Sequence, residues 1–407
     1  MARAFHLQRN LRMFYIFGAA RELTPMLAIW VVYLTDFRDL TLTQVGIMEG
    51  LFWGVKLALE IPSGAFADRF GRKATFVTGI TLEATGTLIF ALAGDFALLA
   101  LSYVIWSGGL AFRTGNDEAY LYDALSSGGR GGEYADRIGV YWALQTAGLL
   151  VGGVAGGVLA AVTSLQVAIF ASLIPFALAT PLLLAIEEPP RRARDATLTL
   201  VSTLSTGLRV VRRSPELRSM LLLQVSLSGV FPAYFLLSQP FLDHHDVSLA
   251  LFGVLAVPVH LARTAAGLLS GRATRRLGLA TTLWLAVGGA VSGLLVLALV
   301  DHVVAFAGLA VAMAAVALSL PAIGTYVNER TDSHVRATVL SVAPMGTSVM
   351  MALTSMSAGA IGAASLRLGF GAIAVAVGVC AAWNLLTWMA TSGALPEREP
   401  EIEPVEA

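Results

Sequence analysis

Cysteine is almost missing from this chain of 407 residues: Cys380 stands alone, so no intramolecular disulfide can form and no paired-cysteine metal ligands exist. Charge is scarce as well. Only 13% of the residues are charged whereas 56% are hydrophobic, and a mean hydropathy of +0.74 is too apolar for a soluble globule. The chain has no GxxxxGK[ST] phosphate loop, which excludes a nucleotide bound in that way. No nucleophile and base, metal cluster or cofactor motif stands out, so the expectation is a non-enzyme with no cofactor and no metal. The formal net charge is zero, and nothing calls for a nucleic-acid partner.

What the chain does have is apolar runs of the length a bilayer demands, about 20 residues each. Twelve can be placed, at 14–34, 44–64, 74–94, 97–122, 137–161 and 166–186, then at 218–240, 248–269, 279–300, 303–327, 337–361 and 368–391. The expected fold is therefore an all-α integral membrane protein. With the N-terminus on the cytoplasmic side, nearly all Lys and Arg between the spans fall on that side, Arg38 and Arg367 excepted, so both termini are expected to be cytoplasmic. The first span is preceded by Ala2 to Arg12 without a small-residue cleavage pattern and is expected to stay in the protein.

Between the second and third spans lies GAFADRFGRK. Gly64 and Gly71 permit a tight reversal, and Asp68 stands between Arg69 and Arg72, where it can cap backbone N–H groups or hold a cation. This pattern resembles, in composition, spacing and place, the loop between helices two and three of major facilitator superfamily transporters. After an interval of 207 residues SGRATRRLG repeats it, with Gly271, Arg276 and Gly278 matching Gly64, Arg69 and Gly71, and Arg275 in place of Asp68. The resemblance implies two pseudo-symmetric six-helix bundles, residues 1–186 and 218–393. A cytoplasmic linker with an amphipathic helix at 187–217 joins them, and an acidic tail follows at 394–407. It also implies that Gly64, Asp68, Arg69, Gly71 and Arg72 act as a conformational latch, with Asp68 contacting the start of the eleventh span. RATVLSV, at residues 336–342, is similar to the family's entry to that span.

Charges inside the spans are costly and mark function or ion pairs. The first span carries Arg21 and Glu22, each of which needs a partner. The resemblance to drug antiporters, many of which hold an acidic residue in helix one, makes Glu22 a proton-coupling candidate. In the second span Lys56 and Glu60 are spaced i and i+4 and are expected to pair, with Glu60 a secondary candidate. Glu83 in the third span has no evident partner and is expected to be protonated or in a wet cavity. In the fourth span Arg113 and Asp117 share a helical face, whereas Glu118 points away; Asp117 and Glu118 are read either as proton sites or as parts of an ion-pair gate. Tyr103 occupies the place of the family's mid-helix-four Arg, and Arg113 is its nearest substitute.

The fifth span contains GLLVGGVAGG, whose Gly148, Gly152, Gly153, Gly156 and Gly157 resemble an antiporter motif in every glycine, with Gly153 where that motif has Pro. Four-residue glycine spacing gives a smooth face for close helix packing. Arg21, Arg113, Gln239 and Met350 are candidates for the wall of a substrate cavity. His260 is expected to be buried and hydrogen-bonded, and Arg263 to reach the cytoplasmic surface. The reading is a bacterial inner-membrane transporter, monomeric, whose partners are lipid, protons and a small-molecule substrate. Proton-coupled export of amphiphilic compounds leads. Metabolite uptake or facilitated diffusion on the same fold, and a non-transporting receptor or assembly factor, are the alternatives.

Overall fold

The computed structural model describes residues 5–189, 207, 209–331 and 333–392. Most of the expected linker, residues 190–206, and the acidic tail lie outside the described residues. The helices that carry the first half are α1 (Leu7–Glu22), α2 (Leu42–Phe70), α3 (Arg72–Leu92), α4 (Phe96–Arg113), α5 (Asn116–Ser127), α6 (Tyr134–Val162), α7 (Leu165–Ala171) and α8 (Leu173–Ala185). The second half has α9 (Pro215–Ser228), α10 (Phe231–Phe235), α11 (Ser238–His244), α12 (Leu249–Leu277), α13 (Leu279–Leu299), α14 (Ala307–Glu329), α15 (Ser333–Ala364) and α16 (Leu366–Ser392).

Among the described residues, ten helical stretches are long and apolar enough to cross a membrane, and they coincide with the third to twelfth expected spans. The first expected span is not one helix. It breaks after Glu22, passes through a 3₁₀ turn at Pro25–Ala28, and ends in a π turn at Tyr33–Phe37. Pro25 has no N–H to give, and Thr24 lends its hydroxyl to the Arg21 carbonyl instead. The second span runs unbroken through α2, and its Glu49, Lys56 and Glu60 are what set it apart from the ten.

Local sequence explains where helices start and stop. Thr41 and Gln44 form a reciprocal cap at the head of α2, and Asp95 accepts from the Leu98 N–H at the head of α4. Gly71, at φ +100°, ends α2, and Gly278, at φ +82°, ends α12. Both helices are 29 residues long, and the 21-residue helices α3 and α13 follow, so the repeat seen in the sequence extends to element lengths. The reversal itself is shorter than expected. Gly64 lies inside α2, because the helix continues to Phe70, and Gly71 alone makes the turn.

Two seams join the halves: α2 lies along α15, and α6 lies along α12. A Cβ added to Gly46 would come 2.7 Å from the Ser355 carbonyl oxygen, and one on Gly157 would come 2.5 Å from that of Leu249. Gln239 of α11 adds a polar tie: its amide oxygen accepts from the Val31 N–H at 2.8 Å, and its amide nitrogen donates to the Leu27 carbonyl. These approaches fall toward one end of the molecule, the end where Arg38 reaches the Ala91 carbonyl and where Asp301 meets His245 and Arg367. At the opposite end the described ion pairs stay within a half: Arg72 with Asp123, Arg9 with Glu187, and Arg330 with Glu216.

Candidate functional site: a buried cluster of five charges

The break after Glu22 leaves Arg21 and Glu22 at the last turn of α1, deep among the first-half helices. A second break, at Thr114–Gly115 with Gly115 at φ +77°, separates α4 from α5. It ends the i, i+4 relation that the sequence offers Arg113 and Asp117. Arg113 turns instead to Glu22 and Glu83, each at 3.1 Å, and Asp117 turns to Arg21 at 3.5 Å. Arg21 also lies 3.4 Å from Glu22, so five charges from α1, α3, α4 and α5 form one connected group. The expectation of an unpaired Glu83 is corrected: it is 3% exposed and bound to Arg113, because α4 packs along α3 and brings that guanidinium to it.

The group holds three carboxylates and two guanidinium ions, a formal charge of −1. It is also short of hydrogen bonds. The buried Nε of Arg21, the Oδ1 of Asp117 and the hydroxyl of Tyr141 on α6 have no hydrogen-bond partner among the described residues. One face of Arg21 rests on the ring of Phe17, 5.1 Å from its centroid, which holds the guanidinium against α1. Phe14 and Tyr141 stack with centroids 4.5 Å apart and close the group off below.

The glycines of α6 set how near that helix comes. Gly148, Gly152 and Gly156 press on the backbone of Ala19, Leu23–Thr24 and Pro25, so α1 can break only where α6 leaves room. Gly153 and Gly157 lie on another face, against Gly253 and Leu249 of α12. One motif thus serves two contacts, and at the second it is Gly253 that permits the approach: a Cβ there would strike the Gly153 carbonyl oxygen, whereas one on Gly153 would make only ordinary contact.

The other candidates divide. Glu118 is exposed, apart from the five charges. Lys56 and Glu60 form the expected intrahelical pair at 3.2 Å. Arg72 binds Asp123 at 3.3 Å, and Arg69 lies over the ring of Phe70. The side chains that begin α15, where the contact of Asp68 is expected, lie outside the described residues. Gln239 and His260 both line a partly open pocket between the halves, with Tyr234, Phe235, Phe252 and Gly153 among its walls. His260 is 6% exposed and shares a 2.9 Å hydrogen bond with the Tyr234 hydroxyl, as expected of a satisfied histidine. Arg263 lies half-buried over the ring of Phe231, 5.8 Å from its centroid. Met350 is partly exposed on α15 and does not line that pocket.

Three carboxylates escaped the sequence reading. Glu187 accepts from the His6 N–H and the Asn10 amide, and Glu188 accepts from the N–H groups of Arg72 and Lys73 at 2.7 and 2.8 Å. The pair therefore ties the heads of α1 and α3 to the end of α8, and Glu188 fills the capping role foreseen for Asp68 at α3. The signal was present: two adjacent acids just past a span, before two prolines. Glu49 is the third, 8% exposed on α2.

Comparison with known proteins agrees with this architecture. The family model of the Major Facilitator Superfamily matches residues 13–342. An uncharacterized MFS-type transporter, YxaM of Bacillus subtilis (strain 168), is 30% identical over 110 residues, 26% of this chain and 27% of that one, so the match spans about a quarter of that relative's length. Among solved structures, a bacterial homolog of the human lysosomal transporter Spinster, inward-facing and unoccupied, superposes with a TM-score of 0.72 at 19% identity, covering 97% of this chain and 98% of the other. A mutant form of the nucleoside transporter NupG gives a TM-score of 0.73 at 12% identity, covering 95% of this chain and 99% of the other.

Proposed function

Because the chain belongs to the major facilitator superfamily, we propose that it is a secondary transporter that exports small amphiphilic compounds in exchange for protons. The observation that carries this reading is the charge balance of the buried group. Three carboxylates face two guanidinium ions, and an unbalanced charge within a membrane costs roughly 3 kcal/mol or more. A proton on Glu22, Asp117 or Glu83 removes that charge, and a cationic group of a substrate removes it equally well. Either occupant suffices, so each displaces the other. Glu22 is 20% exposed in its side chain, the most open of the three acids, and is the first place for the exchange.

In this reading α1 with its broken continuation and α2 are the remaining two of twelve spans, six in each bundle, with both termini in the cytoplasm of a bacterial cell. The seams α2–α15 and α6–α12 then close the outer side, and the charged group takes its proton or cargo from the cytoplasmic side. The pocket of Gln239 and His260 holds the apolar body of the substrate, and the Asp68 loop latches the opposite state.

The test is proton movement in sealed proteoliposomes with an internal pH-sensitive dye and a panel of cationic, neutral and anionic compounds. Proton release that depends on a transported compound supports antiport. Transport of a labelled compound with no proton signal overturns it in favour of facilitated diffusion, and no transport of any compound across the panel would favour a receptor.

A further inference from the structure

Outside the five-charge group one buried acid remains without a cation among the described residues. Glu49 is 8% exposed, and its one described partner is the indole N–H of Trp53, which donates to Oε2 at 3.3 Å. A single neutral donor does little to offset the cost of burying a carboxylate, which runs to several kcal/mol for an ion taken from water. The neutral acid form has no such cost.

The surroundings offer no other charge among the described residues. On α2 itself Lys56 comes two turns later and is bound to Glu60. From α4 the titratable neighbour is the buried Tyr103, which interacts with Glu49 electrostatically and carries no positive charge. From α3, Glu83 is held by Arg113, while Arg72 and Lys73 lie at the far end of α2. Across the seam, α15 presents Ala352 to Gly359, a stretch with no ionisable residue, and His334 and Arg336 belong in sequence to its opposite end.

Glu49 also sits where the halves close. Gly46 and Gly50 flank it, and a Cβ on either would strike α15, at the Ser355 carbonyl or at Met356. Ile47 and Leu51, on the other side of α2, are exposed at 42% and 40%. The face shared by Glu49, Trp53, Lys56 and Glu60, at i, i+4, i+7 and i+11, is therefore turned inward.

From this we infer that Glu49 is a second proton-binding site, and that the α2–α15 seam closes over it only when the carboxyl group is protonated. With the seam open, water reaches the carboxylate and the ion is tolerated. To close, the carboxylate takes H⁺ from a hydronium ion of that water: an O–H bond of the hydronium breaks, the carboxylic O–H forms, a water molecule is left in the solvent, and the neutral acid is buried. The inference rests on the export reading only for the side that supplies the proton: with the seam on the outer side, the proton that lets it close comes from the water outside.

Spin labels across the seam test it, at Asp36→Cys and Ala364→Cys in a Cys380→Ser background, with distances recorded from about pH 5 to about pH 9. The short-distance population should fall as pH rises, because the ionised acid resists burial. In Glu49→Gln, which keeps the shape and is permanently neutral, it should stay high at every pH. In Glu22→Gln the dependence should persist, which separates this site from the five-charge group. A pH response in Glu49→Gln equal to that of the parent, or none in the parent, overturns the inference. An infrared carboxylic-acid C=O band present in the parent, missing in Glu49→Gln and restored in Glu49→Asp, supports it without a transport assay; an unchanged band in Glu49→Gln refutes it.

Discussion

Asp117, just past the break at Gly115, meets Arg21 of α1 at 3.5 Å rather than the Arg113 that precedes it by four residues. That pairing predicts a strong coupling. Arg21→Met leaves buried carboxylates without their cation and should destabilise the protein by about 3–5 kcal/mol. Adding Asp117→Asn should recover a large part of the loss. A double-mutant cycle by thermal unfolding in detergent reads the coupling, and simple additivity of the two substitutions would rule the pairing out.

The break itself depends on glycine. Gly115 has φ +77°, a region that costs other residues roughly 1–2 kcal/mol, although a Cβ there would meet no atom within 4 Å. Gly115→Ala should therefore lower stability by about that amount with no steric clash, as seen in the unfolding midpoint. An unchanged midpoint would mean that the left-handed turn is not kept in solution.

Gly156 presses on the Pro25 backbone, where no side chain fits. Gly156→Leu should push α6 from α1 and cost about 1–3 kcal/mol or more, with transport lost. Gly139 has open space around it, and Gly139→Leu should leave the unfolding midpoint within the scatter of the parent. Equal midpoints for the two variants would contradict the packing described for α6.

The tie at the head of α1 should be acid-sensitive. The His6 N–H, with help from the Asn10 amide, holds the Glu187 carboxyl below its ordinary range. A carboxylate lowered in the folded state contributes stability above its unfolded pKa, about 4.3, and loses it as pH falls through the folded value. Hydrogen-exchange protection in the first turn of α1, taken relative to the intrinsic exchange rate at each pH, should stay high at neutral pH and fall only in acid. In Glu187→Gln the protection should not vary with pH over that window.

Much of the framework was legible because burial in a bilayer leaves a mark in composition. Ten expected spans appear as helical stretches long enough to cross, and the 207-residue repeat reappears as matched pairs of 29- and 21-residue helices. The members of the buried group were legible singly, since Arg21, Glu22, Glu83, Arg113 and Asp117 are conspicuous in apolar surroundings. Their pairing was not. Spacing arguments assume an unbroken helix, and the breaks after Glu22 and at Gly115 redirect each side chain. Glu49 escaped for another reason: it lies four residues before Trp53 in a span whose Lys56–Glu60 pair offered an easy account of the charge.

A buried group that is one proton short of neutrality should give that proton up to a cationic occupant. The most direct measure is the number of protons released per ligand bound, titrated in weakly buffered detergent solution with whichever compound of the panel binds. About one is expected for the parent and none for Glu22→Gln, Asp117→Asn or Glu83→Gln, each of which leaves two carboxylates facing two guanidinium ions. Release that survives undiminished in all three variants, or none in the parent, would contradict the exchange.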